Sequence, residues 1–233
     1  MIGWIIPPPK PPKKSKQTLL EDRNSKIEWL KAKGFLRSKP IEAAMQKIPR
    51  EEFVPFFYRD HTYEELPFPL PGKNSTISCP HSYPMFYEAL KLAPGQNFLE
   101  IGTGSGYGAV LAAEIVGPLG KATSIEIDHK TFLYAQKRVK KFNYSNLFLI
   151  MGDGGEGYPP NAPYDKICLT VACIEIPPPL ISQLKEGGKL ISPRGLPKTT
   201  QDLVLLEKLK EGIIKTQILE KVLYVSLQGK YGK

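Results

Sequence analysis

The stretch from Phe98 to Asp128 constrains the fold more than any other part of the chain. A short apolar run over residues 97–101 stops at a glycine, and residues 109–116 then place apolar side chains at helical spacing. A second apolar run follows at residues 122–127. Strand, tight turn, helix and strand in this order predict one βαβ unit with a right-handed crossover.

Glycines occupy the predicted turn at positions 102, 104 and 106. They let a ligand approach the backbone, and the helix behind them points its free N–H groups toward that ligand. The spacing departs from the dinucleotide-binding fingerprint, because Tyr107 occupies the position of its third glycine. The glycines alone therefore predict a ligand without naming it.

Two carboxylates narrow the choice of ligand. Glu100 lies at the lip of the turn, where it would repel a pyrophosphate and suits a ligand that carries ammonium and sulfonium charges. Glu126 ends the second strand, a position from which an acid accepts hydrogen bonds from both ribose hydroxyls. Both requirements are met by S-adenosylmethionine. The alternative is an ordinary tight turn in another kind of α/β protein.

A third acid follows the next predicted strand. Residues 147–151 form that strand and end at Gly152-Asp153-Gly154, where Asp153 is placed to accept from an adenine amino group. A fourth strand over residues 164–170 ends at Thr170, and open α/β sheets bind ligands at such carboxyl ends. The candidate cofactor-binding residues are Glu100, Gly102, Thr103, Gly104, Ser105, Glu126, Ile127, Gly152, Asp153, Gly154 and Thr170.

Four segments resemble the protein-L-isoaspartate (D-aspartate) O-methyltransferase family: LEIGTGSGY at 99–107, GDG at 152–154, LKEGGKL at 184–190 and STISCPH at 75–81. The resemblance runs from about Ile48 to Gly232, and the TIS-x-PH element is specific to this family. It implies methyl transfer from S-adenosylmethionine to the carboxylate of L-isoaspartyl residues in damaged proteins and peptides, which is a repair reaction. The implied partners are proteins and peptides that contain isoaspartate.

The same resemblance implies a substrate site in the loop from Leu66 to Pro80, which precedes the βαβ unit and is called the substrate loop below. Ser78 matches the serine that contacts the substrate carboxyl and the reacting centre, so it is the candidate catalytic residue. Thr76, Ile77 and His81 are the candidate substrate-binding residues. Two structural alternatives stay open: Ser78 as a helix cap, since Pro80 can open a helix, and His81 as a structural hydrogen bonder.

Two other functions remain as alternatives. One is a methyltransferase on the same scaffold that modifies RNA or another protein side chain, suggested by the basic N-terminus and by Ser82-Tyr83-Pro84, which departs from the family pattern. The other is a cofactor-binding module without turnover. Residues 171–177 lack the N-P-P-Y-like tetrapeptide of enzymes that methylate base amino groups, and Cys173 does not follow a proline as in cytosine C5 enzymes.

Composition limits the environment of the protein. The 233 residues are 41% hydrophobic and include no apolar run of about 18 residues, so no membrane span is expected. The apolar residues of the N-terminus precede its lysines, the reverse of a secretory signal. The three cysteines show no C-x-x-C spacing, and no zinc-ligand spacing occurs. Free thiols, no metal and a cytoplasmic location are expected.

The net charge of +9 is the main argument for a nucleic-acid partner. Four of the positive charges lie in the Pro/Lys-rich segment at Lys10, Lys13, Lys14 and Lys16, and the rest are diffuse. A solvated surface with a flexible tail explains this pattern, and no aromatic RNA-binding motif supports binding of RNA or DNA. The sequence carries no signal for the oligomeric state.

The whole chain is predicted to form a Rossmann-like, doubly wound, mostly parallel α/β sheet of the class I S-adenosylmethionine-dependent methyltransferase type with an N-terminal helical cap. Residues 1–16 form the tail, 17–80 the N-terminal helices and substrate loop, and 81–233 the S-adenosylmethionine-binding domain. Further helices are predicted at 17–34, 40–48, 83–92, 131–142 and 177–184, and later strands at 189–192, 201–209 and 213–227. Gly187-Gly188 is expected to turn the chain.

Overall fold

A computed structural model describes residues 5–232 of the chain, so the first four residues of the expected tail and the last residue of the expected domain lie outside it. In that range the helices are α1 (Lys16–Ala32), α2 (Lys39–Lys47), α3 (Ser82–Leu90), α4 (Tyr107–Val116), α5 (His129–Val139) and α6 (Pro178–Gln183). The strands are β1 (Phe68–Pro69), β2 (Thr76–Ile77), β3 (Asn97–Ile101), β4 (Lys121–Glu126), β5 (Leu147–Met151), β6 (Tyr164–Leu169), β7 (Leu184–Arg194), β8 (Gln201–Lys208) and β9 (Ile214–Val222).

One sheet of seven strands forms the centre of the protein, in the order β5-β4-β3-β6-β7-β8-β9. The strands from β5 to β7 are parallel to their neighbours, and β8 and β9 add an antiparallel edge. The mostly parallel, doubly wound sheet predicted from the sequence is therefore confirmed. β1 and β2 form a separate two-stranded sheet in the loop before α3.

The βαβ unit forms because its strands and helix are apolar on nearly every side. In β3, Phe98 packs into the core cluster on one face of the sheet and Leu99 into the cluster on the other. Helix α4 is buried along almost its whole length, as a crossover helix between sheet and outer helices must be. β3 and β4 pair in parallel, which is the arrangement that a crossover connection requires.

The strand predicted over residues 189–192 is longer than expected. β7 runs from Leu184 to Arg194, so Gly187-Gly188 lies inside the strand, and the prediction of a turn there is wrong. The glycines instead accommodate an irregularity in the pairing of β6 with β7. Gly187 has a φ of +73°, a conformation that glycine adopts without steric cost, so the strand continues past the irregularity.

The N-terminal helices share a core with the sheet. Ile27 and Leu30 of α1 and Ala44 of α2 belong to the same hydrophobic cluster as Phe98 of β3 and Val110 of α4. Segment 17–80 therefore packs directly against segment 81–233. The substrate loop ends segment 17–80. The continuous packing holds this loop above the carboxyl ends of the strands.

The described part of the Pro/Lys-rich tail makes specific contacts. The backbone N–H of Lys10 donates to the Phe57 carbonyl, at 3.0 Å. The backbone N–H groups of Lys13 and Lys14 donate to the Asp60 carboxylate, at 2.6 Å and 3.1 Å. Residues 10–14, expected to be part of a flexible segment, thus lie along the turn at residues 56–61, because a carboxylate there accepts from two successive amides.

No helix within residues 5–232 combines the length and the apolar character needed to cross a lipid bilayer.

Candidate active site

The strand order reverses at β3, whose neighbours β4 and β6 continue the sheet in opposite directions. Crevices at the carboxyl ends of strands arise at such switch points. The chain crosses the crevice floor at Thr170, whose hydroxyl donates to the Gly102 carbonyl at 2.7 Å. A Cβ atom on Gly102 would lie 2.6 Å from that hydroxyl, so only glycine fits the turn beside Thr170.

A small cavity at this switch point, with a volume of about 10 Å³, brings together residues from distant parts of the sequence. Ser78 reaches it from the substrate loop, Glu100 from β3 and Thr170 from the end of β6. Aromatic side chains complete its wall, among them Tyr83 of α3 and Tyr224 near the C-terminus. The cavity thus places a hydroxyl and a carboxyl group from two separately predicted sites in one apolar enclosure.

Burial sets the protonation of Glu100. The residue is 2% exposed, and the Ser124 hydroxyl donates to its Oε2 at 2.6 Å. Loss of solvation raises the pKa of the Glu100 carboxyl to about 8, and the Ser124 hydrogen bond opposes only part of this rise. At neutral pH Glu100 therefore carries a proton in the ligand-free protein. A cation entering the cavity would favour its ionisation.

Glu126 is anchored at the end of β4 by two backbone amides. The N–H of Gly104 donates to its Oε2 and the N–H of Asp128 to its Oε1, both at 3.0 Å. Burial raises the pKa of the Glu126 carboxyl above its ordinary value, and these amide bonds partly offset the rise. The carboxylate is held against the glycine turn, where its remaining lone pairs can accept further hydrogen bonds.

Other residues of the predicted cofactor site support the turn itself. The Thr103 hydroxyl pairs with that of Ser124 at 2.7 Å, and the Ser105 hydroxyl accepts from the Tyr107 amide at 3.3 Å. Both residues are buried, so their side chains shape the turn while its backbone faces the crevice. Ile127, directly after β4, is half-buried.

Asp153 has a structural role that the sequence did not indicate. Its Oδ1 accepts from the Gly155 amide at 2.9 Å, and its Oδ2 accepts from the Lys230 amide at 2.7 Å. The carboxylate thus ties the end of β5 to the C-terminal segment.

A Cβ atom on Gly152 would meet no atom within 4 Å, whereas one on Gly154 would meet the Ile101 side chain at 2.4 Å. The space beside Gly152 is therefore open.

The four candidate residues of the substrate loop have different environments. Ser78 is half-buried and faces the cavity, while Thr76 is exposed and its carbonyl lies 3.5 Å from the place of a Cβ atom on Gly104. The Ile77 side chain packs in the hydrophobic core. His81 lies outside the cavity, where its Nδ1 donates to Glu65 Oε2 at 2.5 Å. Of these four residues, Ser78 lines the same cavity as Glu100.

Arg50 is a residue of this site that sequence reasoning missed. It is 1% exposed, its Nε donates to the Thr62 carbonyl at 3.0 Å, and its Nη2 donates to the Ser78 carbonyl at 2.7 Å. The guanidinium lies 5.6 Å and 5.5 Å from the ring centroids of Tyr83 and Tyr107. In the sequence Arg50 stands beside two glutamates, a pattern typical of an exposed residue. The one signal for a buried position was that Arg50 lies within the part of the chain that resembles the methyltransferase family.

Comparison with known proteins identifies the relatives of the chain. A family model described as protein-L-isoaspartate(D-aspartate) O-methyltransferase matches residues 21–232. A protein-L-isoaspartate O-methyltransferase of Methanothermobacter thermautotrophicus is 39% identical over 214 residues, which cover 92% of this chain and 98% of the relative. Both matches span nearly the whole chain, including the substrate loop and the glycine turn.

Solved structures share the fold. One described as a protein-L-isoaspartate O-methyltransferase is 32% identical, with a TM-score of 0.82, over 90% of this chain and 67% of that chain. Another, a beta-aspartate methyltransferase from Plasmodium falciparum in complex with S-adenosyl-L-homocysteine, is 24% identical, with a TM-score of 0.77, over 88% of this chain and 98% of that chain. At 24% identity, the similarity to the second structure shows a shared fold and nothing more.

The raised pKa of Glu100 predicts a pH-dependent stability. Below about pH 4 both the folded and the unfolded chain hold this proton, so the carboxyl adds no pH dependence there. Between about pH 4 and pH 8 only the unfolded chain ionises, so the free energy of unfolding falls as pH rises, and above pH 8 the effect is complete. A Glu100→Gln variant, neutral at every pH, should lose this component.

Urea unfolding at pH 5, 6, 7 and 8 measures the effect. We expect the stability of Glu100→Gln relative to the wild type to increase with pH, by up to about 1.4 kcal/mol for each pH unit. Glu186→Gln, a change at an exposed position, is the control and should follow the wild type. Identical pH profiles of the wild type and Glu100→Gln would contradict the protonation assigned to Glu100.

Proposed function

The chain belongs to the protein-L-isoaspartate(D-aspartate) O-methyltransferase family, and we propose that the cavity between Ser78 and Glu100 is its catalytic centre. The protein is an S-adenosylmethionine-dependent carboxyl O-methyltransferase that acts on L-isoaspartyl residues of damaged proteins and peptides. The observation that carries the assignment is the convergence of Ser78, Glu100 and Thr170 on one cavity at the topological switch point.

The residues around the crevice fit the donor, S-adenosylmethionine. Glu126 offers a carboxylate beside the glycine turn for ribose hydroxyls, and Gly152 leaves an open flank for a planar base. Glu100 loses its proton to solvent when a cationic group enters the cavity, and its charge then stabilises that group. We assign Gly102, Thr103, Gly104, Ser105, Ile127, Asp153, Gly154 and Thr170 to the same site, as residues that shape its walls.

The chemistry requires positioning rather than a strong base. When bound, S-adenosylmethionine supplies a methyl group already activated on a sulfonium. An isoaspartyl carboxylate is ionised at neutral pH, since its pKa lies near 4, so no side chain has to remove a proton from it. The Ser78 hydroxyl donates to that carboxylate or to the neighbouring amide and holds it in line for displacement. Arg50 positions Ser78 by holding its carbonyl oxygen.

The product accounts for the repair outcome. Methylation gives the carboxyl carbon a methoxide leaving group, which departs far more readily than the oxide of a free carboxylate. The neighbouring amide nitrogen loses its proton and attacks the ester carbonyl carbon, and methoxide leaves with a proton as methanol. The resulting succinimide takes up water and opens partly to normal aspartate. Each round therefore returns a fraction of the damaged residues to the normal backbone.

We also propose the division of labour along the chain and its location. Segment 17–80 acts as a cap that carries the substrate loop, and segment 81–233 binds the donor. Cys79, Cys168 and Cys173 are free and buried, which supports a reducing, cytoplasmic location. No nucleic-acid partner is assigned to the basic segment at residues 1–16, because the sequence holds no aromatic RNA-binding motif.

Substrate choice is tested with a matched pair of peptides that differ only in L-isoaspartate or normal aspartate. Methyl transfer from labelled S-adenosylmethionine, scored as base-labile methanol, is expected on the isoaspartyl peptide alone. RNA serves as a third substrate and should remain unlabelled. No label on either peptide, with donor binding intact by calorimetry, would contradict the proposed reaction and favour a module without turnover.

Removal of the Ser78 hydroxyl should reduce catalysis without weakening donor binding. A hydrogen bond to a charged group is worth about 1.5–3 kcal/mol, so Ser78→Ala should lower kcat/KM for the isoaspartyl peptide by about 10- to 150-fold. The calorimetric Kd for the donor should remain unchanged. Ser25→Ala, which removes an exposed hydroxyl from α1, is the control and should retain full activity. Unchanged activity of Ser78→Ala would remove Ser78 from the mechanism.

Loss of the Glu126 carboxylate should weaken donor binding. Unpaired ribose hydroxyls cost about 1–3 kcal/mol, so Glu126→Ala should raise the calorimetric Kd by about 5- to 150-fold. Glu126→Gln keeps one acceptor oxygen and should lose less affinity. Glu175→Ala, at an exposed position, controls for the loss of one negative charge. A Kd that stays at the wild-type value in Glu126→Ala would exclude Glu126 from the ribose site.

A further inference from the structure

Three metal-ligating side chains that the methyl-transfer mechanism does not use lie together beside the substrate loop. They are Glu65, Cys79 and His81, and one ligand atom of each lies within 4.8 Å of those of the other two. Sequence spacing gave no sign of this cluster, because Glu65 lies at one end of the loop and the other two lie at the opposite end. The fold brings the two ends together.

We propose that Glu65, Cys79 and His81 form a binding site for a thiophilic divalent cation, with Zn²⁺ as the best-fitting ion. A carboxylate oxygen, a thiolate sulfur and an imidazole nitrogen are the three ligand types that Zn²⁺ takes in proteins. The carboxylate and the thiolate together neutralise its charge. Three protein ligands leave a fourth tetrahedral position, which a water molecule can fill.

The geometry requires movements of about 1 Å in the ligand atoms. Ligand bonds of about 2.0–2.3 Å place the donor atoms of a tetrahedral zinc site roughly 3.3–3.6 Å apart, so a separation at the 4.8 Å limit must shrink by about 1 Å. His81 Nδ1 and Glu65 Oε2 lie 2.5 Å apart in their hydrogen bond, so a metal ion bound by both atoms must separate them by about 1 Å. Side-chain rotations supply shifts of this size.

Neighbouring side chains orient two of the ligands. Lys26 holds the second carboxylate oxygen of Glu65, Oε1, at 3.1 Å and leaves Oε2 to face His81. The Phe35 ring packs against the imidazole of His81, with 5.2 Å between ring centroids. Outer contacts of this kind fix ligands in the orientation that a metal ion requires.

Metal binding releases one proton. Cys79 is a buried free thiol before the metal binds. Coordination replaces its S–H bond by an S–metal bond, and that proton passes to solvent. A carboxylate can only accept, so His81 Nδ1 donates its hydrogen to Glu65, and coordination through Nδ1 moves that hydrogen to Nε2.

A metal ion at this site is expected to cross-link the two ends of the substrate loop. Glu65 precedes the segment from Leu66 to Pro80, and Cys79 and His81 lie at its end, directly after Ser78. A metal bound by all three joins both ends of the loop and limits its freedom in the unfolded and partly open states. The site therefore stabilises the loop that carries the catalytic hydroxyl.

The test uses the full-length chain, freed of metal with a chelator and titrated with Co²⁺ as a spectroscopic probe and then with Zn²⁺. We expect one equivalent of Co²⁺ to produce a thiolate-to-cobalt charge-transfer band, which Zn²⁺ abolishes. Cys79→Ser should lose the band, while Cys173→Ser, a change at another buried cysteine, should keep it. The zinc affinity of Cys79→Ser should fall on the order of 100-fold, the upper end of the loss that follows removal of an outer partner.

A second pair of variants separates this site from ordinary surface binding and from misfolding. His61 and Glu64 form a similar His–Glu contact at 2.7 Å. His61→Ala should leave zinc affinity unchanged, whereas Glu65→Gln, nearly isosteric and expected to fold, should weaken it. Zn²⁺ should also raise the unfolding temperature of the wild type but not of Glu65→Gln. No charge-transfer band in the wild type, or wild-type zinc affinity in both Cys79→Ser and Glu65→Gln, would overturn the proposal.

Discussion

The reversal of strand order at β3 is the constraint on which the rest of the structure depends. Because β4 and β6 lie on opposite sides of β3, the chain leaves neighbouring strand ends in opposite directions, and a crevice remains between them. The glycine turn after β3 and Thr170, which are joined by a hydrogen bond, form the floor of that crevice. Every group assigned to donor binding lies at this edge because parallel strands all end there.

Burial of two carboxyl groups in this crevice costs solvation free energy, which hydrogen bonds within the fold partly offset. Glu100 is desolvated and has the Ser124 hydroxyl as a hydrogen-bond partner, so the ligand-free protein avoids a buried negative charge by keeping a proton. Glu126 is anchored by two amides of the turn. A bound donor with cationic groups would therefore supply the positive charge that these two buried carboxyl groups lack as a partner.

The substrate loop depends on a different device. Arg50 is fully buried, and among residues 5–232 no carboxylate lies within ion-pair distance of it; its hydrogen bonds go to two backbone carbonyls, one of them that of Ser78. Sequence reasoning located the loop and Ser78 but not this arginine, because the run Arg50-Glu51-Glu52 is typical of an exposed turn. Burial of a charged residue is decided by the elements that pack over it, which a local pattern does not contain.

The sequence by itself determined the elements and the chemistry of the crevice. Periodicity located β3 and β5 at their observed bounds, and the acids at the ends of successive strands indicated a donor with cationic groups. These signals are local, since apolar periodicity and glycine turns act within a few residues. The tertiary structure decided which groups meet. It placed Ser78 and Glu100 in the wall of one cavity and engaged Asp153 with the C-terminal segment. It also continued β7 through Gly187-Gly188 and gathered Glu65, Cys79 and His81. Each of these depends on contacts between residues far apart in the chain, and only packing of the whole fold brings such residues together.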